Sequence, residues 1–181
     1  MARPWEVLLE QVVHERYPQL VAHATLVSAS RADAQDLVQE ALVSTFSGRA
    51  RFRSVEQAEA YVRRAIVSRA IDASRRRARE SALTERIGGQ TTDSHRDDDH
   101  LPGADVVRAL AVLSPRERAC VVLRQMDDLS VQETASVLGL SEGAVKRYTA
   151  DGMARLTAAL HPAAPTTERI SISVRRQRGA S

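Results

Sequence analysis

Apolar side chains recur at intervals of three and four residues along most of this chain, the spacing of one helix face, and no stretch alternates convincingly enough to propose a strand. In RADAQDLVQEALVSTF, preceded by Ser30, the positions Ala34, Leu37, Val38, Ala41, Leu42, Thr45 and Phe46 form such a face and are expected in the core. Ser30 reads as its N-cap, with Asp33 in the capping-box position. Asp36, Gln39, Glu40 and Val43 fall on the opposite side. Three polar groups around an apolar Val43 fit either the docking of a basic helical partner or an ordinary solvated face. A further helix is predicted to start near Ser54, with Gln57 in the capping-box position, and to run to about Arg79. Its apolar positions include Ala58, Val62, Ala65, Ile66, Ala70 and Ala73, while Arg64, Ser68, Arg75 and Arg79 lie along a different face.

Later in the chain, Val106, Val107, Leu110 and Leu113 predict a short helix. Ser114, Pro115 and Glu117 then mark the start of another, with Ala119, Val122, Leu123 and Met126 as its apolar stripe. Ser130 followed by Glu133 starts a short helix that carries Ala135 and Leu138 inward, and Gly139 supplies the left-handed residue that ends it. Ser141 caps a last helix with Val145, Tyr148, Gly152, Leu156 and Ala159 at helical spacing. Lys146 and Arg147 lie off that stripe, near the helix start. A short helix, a glycine turn and a second helix with basic residues near its beginning is a helix-turn-helix, whose second helix enters the DNA major groove N-terminal end first. An ordinary helical hairpin is the alternative. Gly152 inside the helix costs roughly 1 kcal/mol relative to Ala, and is tolerated where a helix packs closely.

Composition sharpens this picture. With 3% aromatic residues, the core must rest on Leu, Val and Ala, which suits helices. The net charge of +3 conceals an uneven distribution: residues 49–80 hold ten arginines against four acids, and residues 81–105 hold six acids against two arginines. A basic segment beside an acidic one predicts nucleic acid at one place and a basic partner, or imitation of nucleic acid, at the other. The consecutive Arg75, Arg76 and Arg77 end a basic stripe suited to DNA phosphates, a merely soluble basic helix being the alternative. Lys146 is the one lysine and Cys120 the one cysteine. No internal disulfide can form, and Cys120, within ACVVL, reads as a small buried apolar side chain.

The expected organisation is all-α, with two small helical domains joined by a flexible acidic linker, the second containing the helix-turn-helix. The segments are 1–80, a linker at 81–105, a second domain at 106–160 and a basic tail at 161–181. The linker, with paired glycines, an acidic run and a proline, is expected to be extended or disordered. His95, Asp97, Asp98, Asp99 and His100 lie within it and read as solvated linker rather than a metal site, since nothing there fixes ligand geometry. The tail is expected to be mobile. No apolar run approaches the ~20 residues that span a bilayer. MARPWEVLLEQVVHE has acids within its apolar stretch and no cleavage site, so a cytoplasmic protein is expected. No nucleophile–base pair, phosphate-cradling glycine loop or metal cage can be read, so neither an enzyme nor a cofactor is expected.

Three of these segments, in order, resemble a bacterial sigma-70 family factor of the extracytoplasmic function (ECF) group. DAQDLVQEALVSTF is similar to the family's conserved first-domain helix. YVRRAIVSRAIDASRRRARE is similar to the helix that follows it, and LSPRERACVVLRQMDDLSVQETASVLGLSEGAVKRY to the second domain. The resemblance covers about residues 5–160. It implies that the first domain binds the clamp helices of the RNA polymerase β′ subunit, a contact that falls on Asp33, Asp36, Gln39 and Glu40. It further implies that the −10 promoter element is melted and read by Arg64, Ser68, Arg69, Asp72, Arg75, Arg76 and Arg77. For the −35 element it points to Ser141, Glu142, Lys146, Arg147 and Ala150. The acidic linker would thread the RNA exit path, and an anti-sigma factor would be a partner. No small-molecule substrate is implied.

Two departures stand out. Many relatives have Asn where this chain has Ser68, and many continue the recognition helix with several arginines where this one has Thr149, Ala150 and Asp151. The leading expectation is therefore a promoter-specificity subunit of RNA polymerase without catalysis of its own. A free-standing helix-turn-helix regulator explains the second domain equally well, but not the Asp36–Glu40 face or the arginine helix. A third reading is a protein that occupies polymerase or an anti-sigma factor without reading promoters.

Overall fold

The computed structural model describes residues 4–47, 52–86 and 103–161, and these form helices joined by short turns. The helices are α1 (Pro4–Ser28), α2 (Arg31–Ser47), α3 (Val55–Arg86), α4 (Ala104–Ala111), α5 (Pro115–Gln125), α6 (Val131–Leu138) and α7 (Glu142–Leu160), with no strand among the described residues. The all-α class follows the periodicity. The segment boundaries shift: residues 81–86, expected in the linker, continue α3, and α4 opens at Ala104. Residues 87–102, with the histidines and aspartates of the linker, and the tail beyond His161 lie outside the described residues.

Helices α1, α2 and α3 pack on one another around Val12, Leu20 and Ala24 of α1, Ala34, Val38 and Ala41 of α2, and Ala58, Val62 and Ile66 of α3, all fully buried. All seven positions expected in the core of α2, from Ala34 to Phe46, are buried. The start of α2 departs from a full capping box. The Asp33 N–H donates to Ser30 Oγ at 3.3 Å, but the Ser30 N–H donates to Ser28 Oγ at 3.1 Å, and the Asp33 carboxylate turns instead to Arg77. At α3, Gln57 likewise donates its N–H to Ser54 Oγ but accepts from the Arg53 N–H.

Helices α4–α7 form the second unit. Ser114 with Glu117 and Ser130 with Glu133 close complete capping boxes at α5 and α6. Gly139 ends α6 at φ 61° and ψ 42°, and Ser141 accepts from the Ala144 N–H to start α7. Three apolar positions expected inward are exposed: Val106, Met126 and Ala159. Met126 is the C-cap of α5 and Ala159 sits in the last turn of α7, where each helix runs past the surface it packs on.

The two units also pack against each other. One continuous buried cluster runs from the α1–α3 core into Ala119, Cys120, Val122 and Leu123 of α5 and Val145 of α7. Leu26 of α1 packs on a second cluster made by Leu110, Leu113 and Val121. Val67 and Ile71 of α3 are buried as well, although they lie off the stripe that faces α1 and α2. Ile71 lines a small crevice with Pro115 and Arg118 of α5, so the second unit is what covers it. Arg118 itself is buried, with no ion-pair partner among the described residues. It donates to the carbonyls of Leu110, Ala111 and Leu113 at the end of α4, and to Val27 O at the end of α1, 3.3 Å away. These carbonyls lie at or just past the C-terminal ends of α4 and α1, where the negative ends of two helix dipoles stabilise the guanidinium. Burial, followed by the charge of Arg77, lowers the Arg118 pKa from its ordinary value.

Candidate nucleic-acid interface

Helix α2 carries Asp36, Gln39, Glu40 and Val43 on its exposed side, and Val43 is 66% exposed, unusual for an apolar residue flanked by acids. Asp33 is half-buried one turn before. Two of these acids already hold arginines of α3: Asp33 Oδ2 accepts from Arg77 at 2.7 Å, and Glu40 Oε2 from Arg69 at 3.4 Å. Asp36 carries no ion pair among the described residues.

Along α3, the 100° step between successive residues sorts the arginines onto different faces. Arg64, Ser68, Asp72, Arg75 and Arg79 form one stripe. Arg76 and Arg69 flank it, and Arg77 lies across the helix toward α2, where Arg69 also reaches Ser44 Oγ. The seven residues expected to meet one DNA element therefore do not share one face. Arg75 and Arg76 are exposed, and Asp72 pairs with Arg75 at 3.6 Å. Arg64 turns toward the second unit, with its Nη2 3.8 Å from Glu133 Oε1 and its Nε buried without a partner.

In the second unit, Ser141 at the N-cap of α7 and Glu142, Lys146, Arg147 and Ala150 on the helix are all exposed, and the helix N-terminus is open to solvent. Gly139 turns the chain sharply, so that α7 presents this end outward while Val145 is fully buried beneath it. The Arg147 guanidinium lies over the Tyr148 ring, 5.1 Å from its centroid. Arg116, from the first turn of α5, donates to the Tyr148 hydroxyl at 3.3 Å. Hydrogen bonds from Arg116 and then Arg147 lower the Tyr148 pKa. Arg116 and Tyr148 thus extend the basic surface around Lys146 and Arg147, though sequence reading assigned neither to it. The signal was absent: the two residues meet only once α5 and α7 pack.

Known proteins match in the same order. A model of sigma-70 region 2 matches residues 12–80, and one of sigma-70 region 4 matches residues 104–156. The RNA polymerase sigma-E factor of Streptomyces avermitilis is 35% identical over 152 residues, covering 83% of this chain and 84% of its own. The sigma-E factor of Streptomyces coelicolor is 35% identical over 155 residues, covering 83% and 85%. The ECF RNA polymerase sigma factor SigM of Mycobacterium tuberculosis is 31% identical over 148 residues, covering 81% and 74%. The chain belongs to the sigma-70 family, in its ECF group. As an ECF sigma factor it binds core RNA polymerase and directs promoter-specific initiation of transcription.

The fold agrees. The sigma factor RpoE of Bartonella quintana, solved with the anti-sigma factor NepR, superposes with a TM-score of 0.61 at 22% identity over 86% of this chain and 98% of that one. The region 2 match spans most of α1, all of α2 and α3 as far as residue 80, and the region 4 match spans α4 to most of α7. Among the described residues of this sigma factor, no helix is long and apolar enough to cross a membrane, and no group of His, Cys, Asp and Glu is placed to hold a metal ion.

Proposed function

We propose that this ECF sigma factor docks on the β′ clamp helices through Asp33, Asp36, Gln39 and Glu40 of α2. It reads the −10 element through Arg64, Ser68, Arg69, Asp72, Arg75, Arg76 and Arg77 of α3, and the −35 element through Ser141, Glu142, Lys146, Arg147 and Ala150 of α7. The observation that carries the reading is the division of α2 and α3. Acids around Val43 face outward on one helix, and an arginine stripe faces outward on the next, so polymerase and DNA can be held on two sides of one three-helix unit.

The chemistry differs between the surfaces. Exposed Asp36, Gln39 and Glu40 offer acceptors to a basic helix, with Val43 supplying apolar contact at the centre. On α3, arginines neutralise phosphates of a separated strand and release counterions. Arg69 and Arg77 are bound to Glu40 and Asp33, so their part is to hold α2 and α3 in register as well as to meet DNA. In α7, the exposed N-terminal turn with Lys146 and Arg147 suits the major groove, and Arg116 adds a phosphate contact from α5.

The factor acts in the cytoplasm and contributes specificity, the chemistry of transcription belonging to the core enzyme. An anti-sigma factor is its regulatory partner, by likeness to the Bartonella quintana sigma factor solved with one. Run-off transcription by purified core polymerase on a genomic promoter library, with and without this protein, tests the reading. New discrete starts that share −10 and −35 sequences are expected. Core binding without new starts would favour an antagonist of polymerase, and no core binding a free-standing regulator.

A further inference from the structure

The start of the recognition helix is short of positive charge. From its N-cap Ser141 to Asp151 it carries Lys146 and Arg147 against Glu142 and Asp151, which leaves no net charge. Arg155, further along α7, is held by Glu117 of α5 at 3.2 Å. A duplex is gripped chiefly by cations that neutralise its phosphates, so a helix with this balance needs help from elsewhere. The neighbouring helix supplies it. Arg116, exposed in the first turn of α5, donates through Nη1 to the Tyr148 hydroxyl at 3.3 Å. Its own helix disfavours a cation there, since the first turn is the positive end of the dipole. A phosphate held between the two helices would reverse that balance.

The packing of α5 on α7 decides where this arginine stands. The two helices approach most closely at Gly152, where an added β-carbon would meet Val121 and Glu117. Tyr148 lies one turn before that point and Arg155 about one turn after it. Successive residues of α5 therefore meet opposite sides of it. Glu117 takes Arg155, and Arg116 takes Tyr148, on the side where Lys146 and Arg147 are exposed. Tyr148 has little freedom, being half-buried and packed on the buried cluster that includes Val145. The Arg147 guanidinium lies over its ring, 5.1 Å from the centroid, a flat cation on an aromatic face. One phenol thus engages two guanidiniums from two helices, one through its hydroxyl and one through its ring.

We infer that Tyr148 is a positioning residue for the −35 contact: its hydroxyl holds Arg116 beside the recognition helix to meet a DNA phosphate, and its ring holds Arg147 in the orientation that reads the groove. The inference rests on the promoter reading above for its consequence, but not for the two contacts themselves. A tyrosine that served packing alone would need its ring and not its hydroxyl. The two parts can be removed separately, because Tyr148→Phe takes the hydroxyl and keeps the ring, while Tyr148→Leu takes both.

The test uses the full chain, free and in holoenzyme, with circular dichroism to check that each variant keeps its helix content. In the free chain, NMR of tyrosine labelled at Cζ follows the phenols as they titrate, and Tyr148→Phe assigns the Tyr148 signal by removing it. Arg116, followed by Arg147, holds the Tyr148 pKa below its ordinary value, so Arg116→Ala should move the midpoint upward. An unmoved midpoint would overturn the contact. In holoenzyme on a promoter that requires its −35 element, Arg116→Ala should flatten the slope of log affinity against log salt by up to about 0.9, the share of one phosphate. Tyr148→Phe should weaken promoter binding several-fold. Combined with Arg116→Ala it should weaken binding no more than Arg116→Ala alone, since the hydroxyl acts through that arginine. Losses that multiply would overturn the positioning of Arg116. Across single-base variants of the −35 element, Tyr148→Phe should rank the sites as wild type does, and Tyr148→Leu should flatten the ranking as Arg147→Ala does. An unchanged ranking for Tyr148→Leu would overturn the positioning of Arg147. The phenol titration needs no DNA, so a failure of the promoter reading leaves that arm intact and distinguishable.

Discussion

Gly152 of α7 lies so close to α5 that a β-carbon on it would come within 2.8 Å of Val121 Cγ2 and 3.3 Å of Glu117 Cβ. Val121 is buried and Glu117 is fixed by its capping bonds to Ser114, so neither can move aside cheaply. Glycine here lets the recognition helix seat against the helix that supports it. Gly152→Ala would gain up to about 1 kcal/mol of helix propensity. Overpacking costs about 1–3 kcal/mol and should win. Urea unfolding should show a net loss of stability, and a gain would show that α5 and α7 can separate without penalty.

That close approach marks the limit of what the chain made legible. The core face of α2 could be read position by position, because Ala34 to Phe46 bury against helices in the same unit. The starts of α5, α6 and α7 were equally plain, since Ser114, Ser130 and Ser141 cap within their own helices. Helix α1 was not foreseen individually. Pro18 sits in its interior, where it removes a hydrogen bond at a cost of about 3 kcal/mol or more. Burial of Val12, Leu20, Ala24 and Val27 on both sides of it outweighs that cost. Burial of Val67 and Ile71 was also hidden, because a second unit covers them and spacing within α3 says nothing of a distant partner. The same limit applies to the interface. Asp36, Gln39, Glu40 and Lys146 lie where periodicity put them, but the pairing of Asp33 with Arg77, and of Arg116 with Tyr148, exists only in three dimensions.

Cys120 is fully buried in α5, and desolvation raises its thiol pKa from 9.0 to about 11. The folded chain keeps its proton through a range in which an unfolded chain has lost it. This contribution to stability is complete below about pH 9 and falls away as pH rises toward about 11. Cys120→Ala should remove that alkaline component of the stability profile. At pH 8 the thiol should also react with a disulfide reagent far more slowly in the folded protein than in urea. Equal rates would place Cys120 at the surface.

Ala29, between α1 and α2, adopts φ 54°, and its N–H donates to Thr25 O at 2.9 Å to close the end of α1. A side chain in the left-handed region costs about 1–2 kcal/mol. Glycine avoids this strain but gives back some of the gain through the entropy of its unfolded state. Ala29→Gly should therefore stabilise the first unit by about 0.5–1 kcal/mol, measured by chemical denaturation. A destabilised variant would mean that the alanine methyl makes packing contacts worth more than the strain.

Asp36 and Glu40 occupy the same exposed side of α2, one turn apart, with Val43 beside them. If they meet a basic helix of polymerase, Asp36→Arg with Glu40→Arg replaces attraction with like-charge repulsion, which costs several kcal/mol at an interface. Affinity for core should fall at least tenfold while thermal stability changes little, since Glu40 contributes only an exposed pair with Arg69. Unchanged affinity would move the docking surface elsewhere.

Lys146 and Arg147 are the two cations at the exposed start of α7. Each phosphate contact that a cation makes steepens the dependence of log affinity on log salt by about 0.9. Lys146→Ala with Arg147→Ala should therefore flatten that slope by up to about 1.8 for holoenzyme on a promoter that requires its −35 element. A base contact behaves differently: its loss weakens the cognate sequence by about 1–3 kcal/mol and leaves the slope alone. Arg147 already lies over Tyr148, which aims its guanidinium along the helix surface, whereas Lys146 stands exposed beside it. The single variants should separate the roles. Lys146→Ala should act through the slope, and Arg147→Ala through both slope and sequence preference. Salt slopes identical to wild type, with initiation unaltered, would remove both residues from the −35 interface.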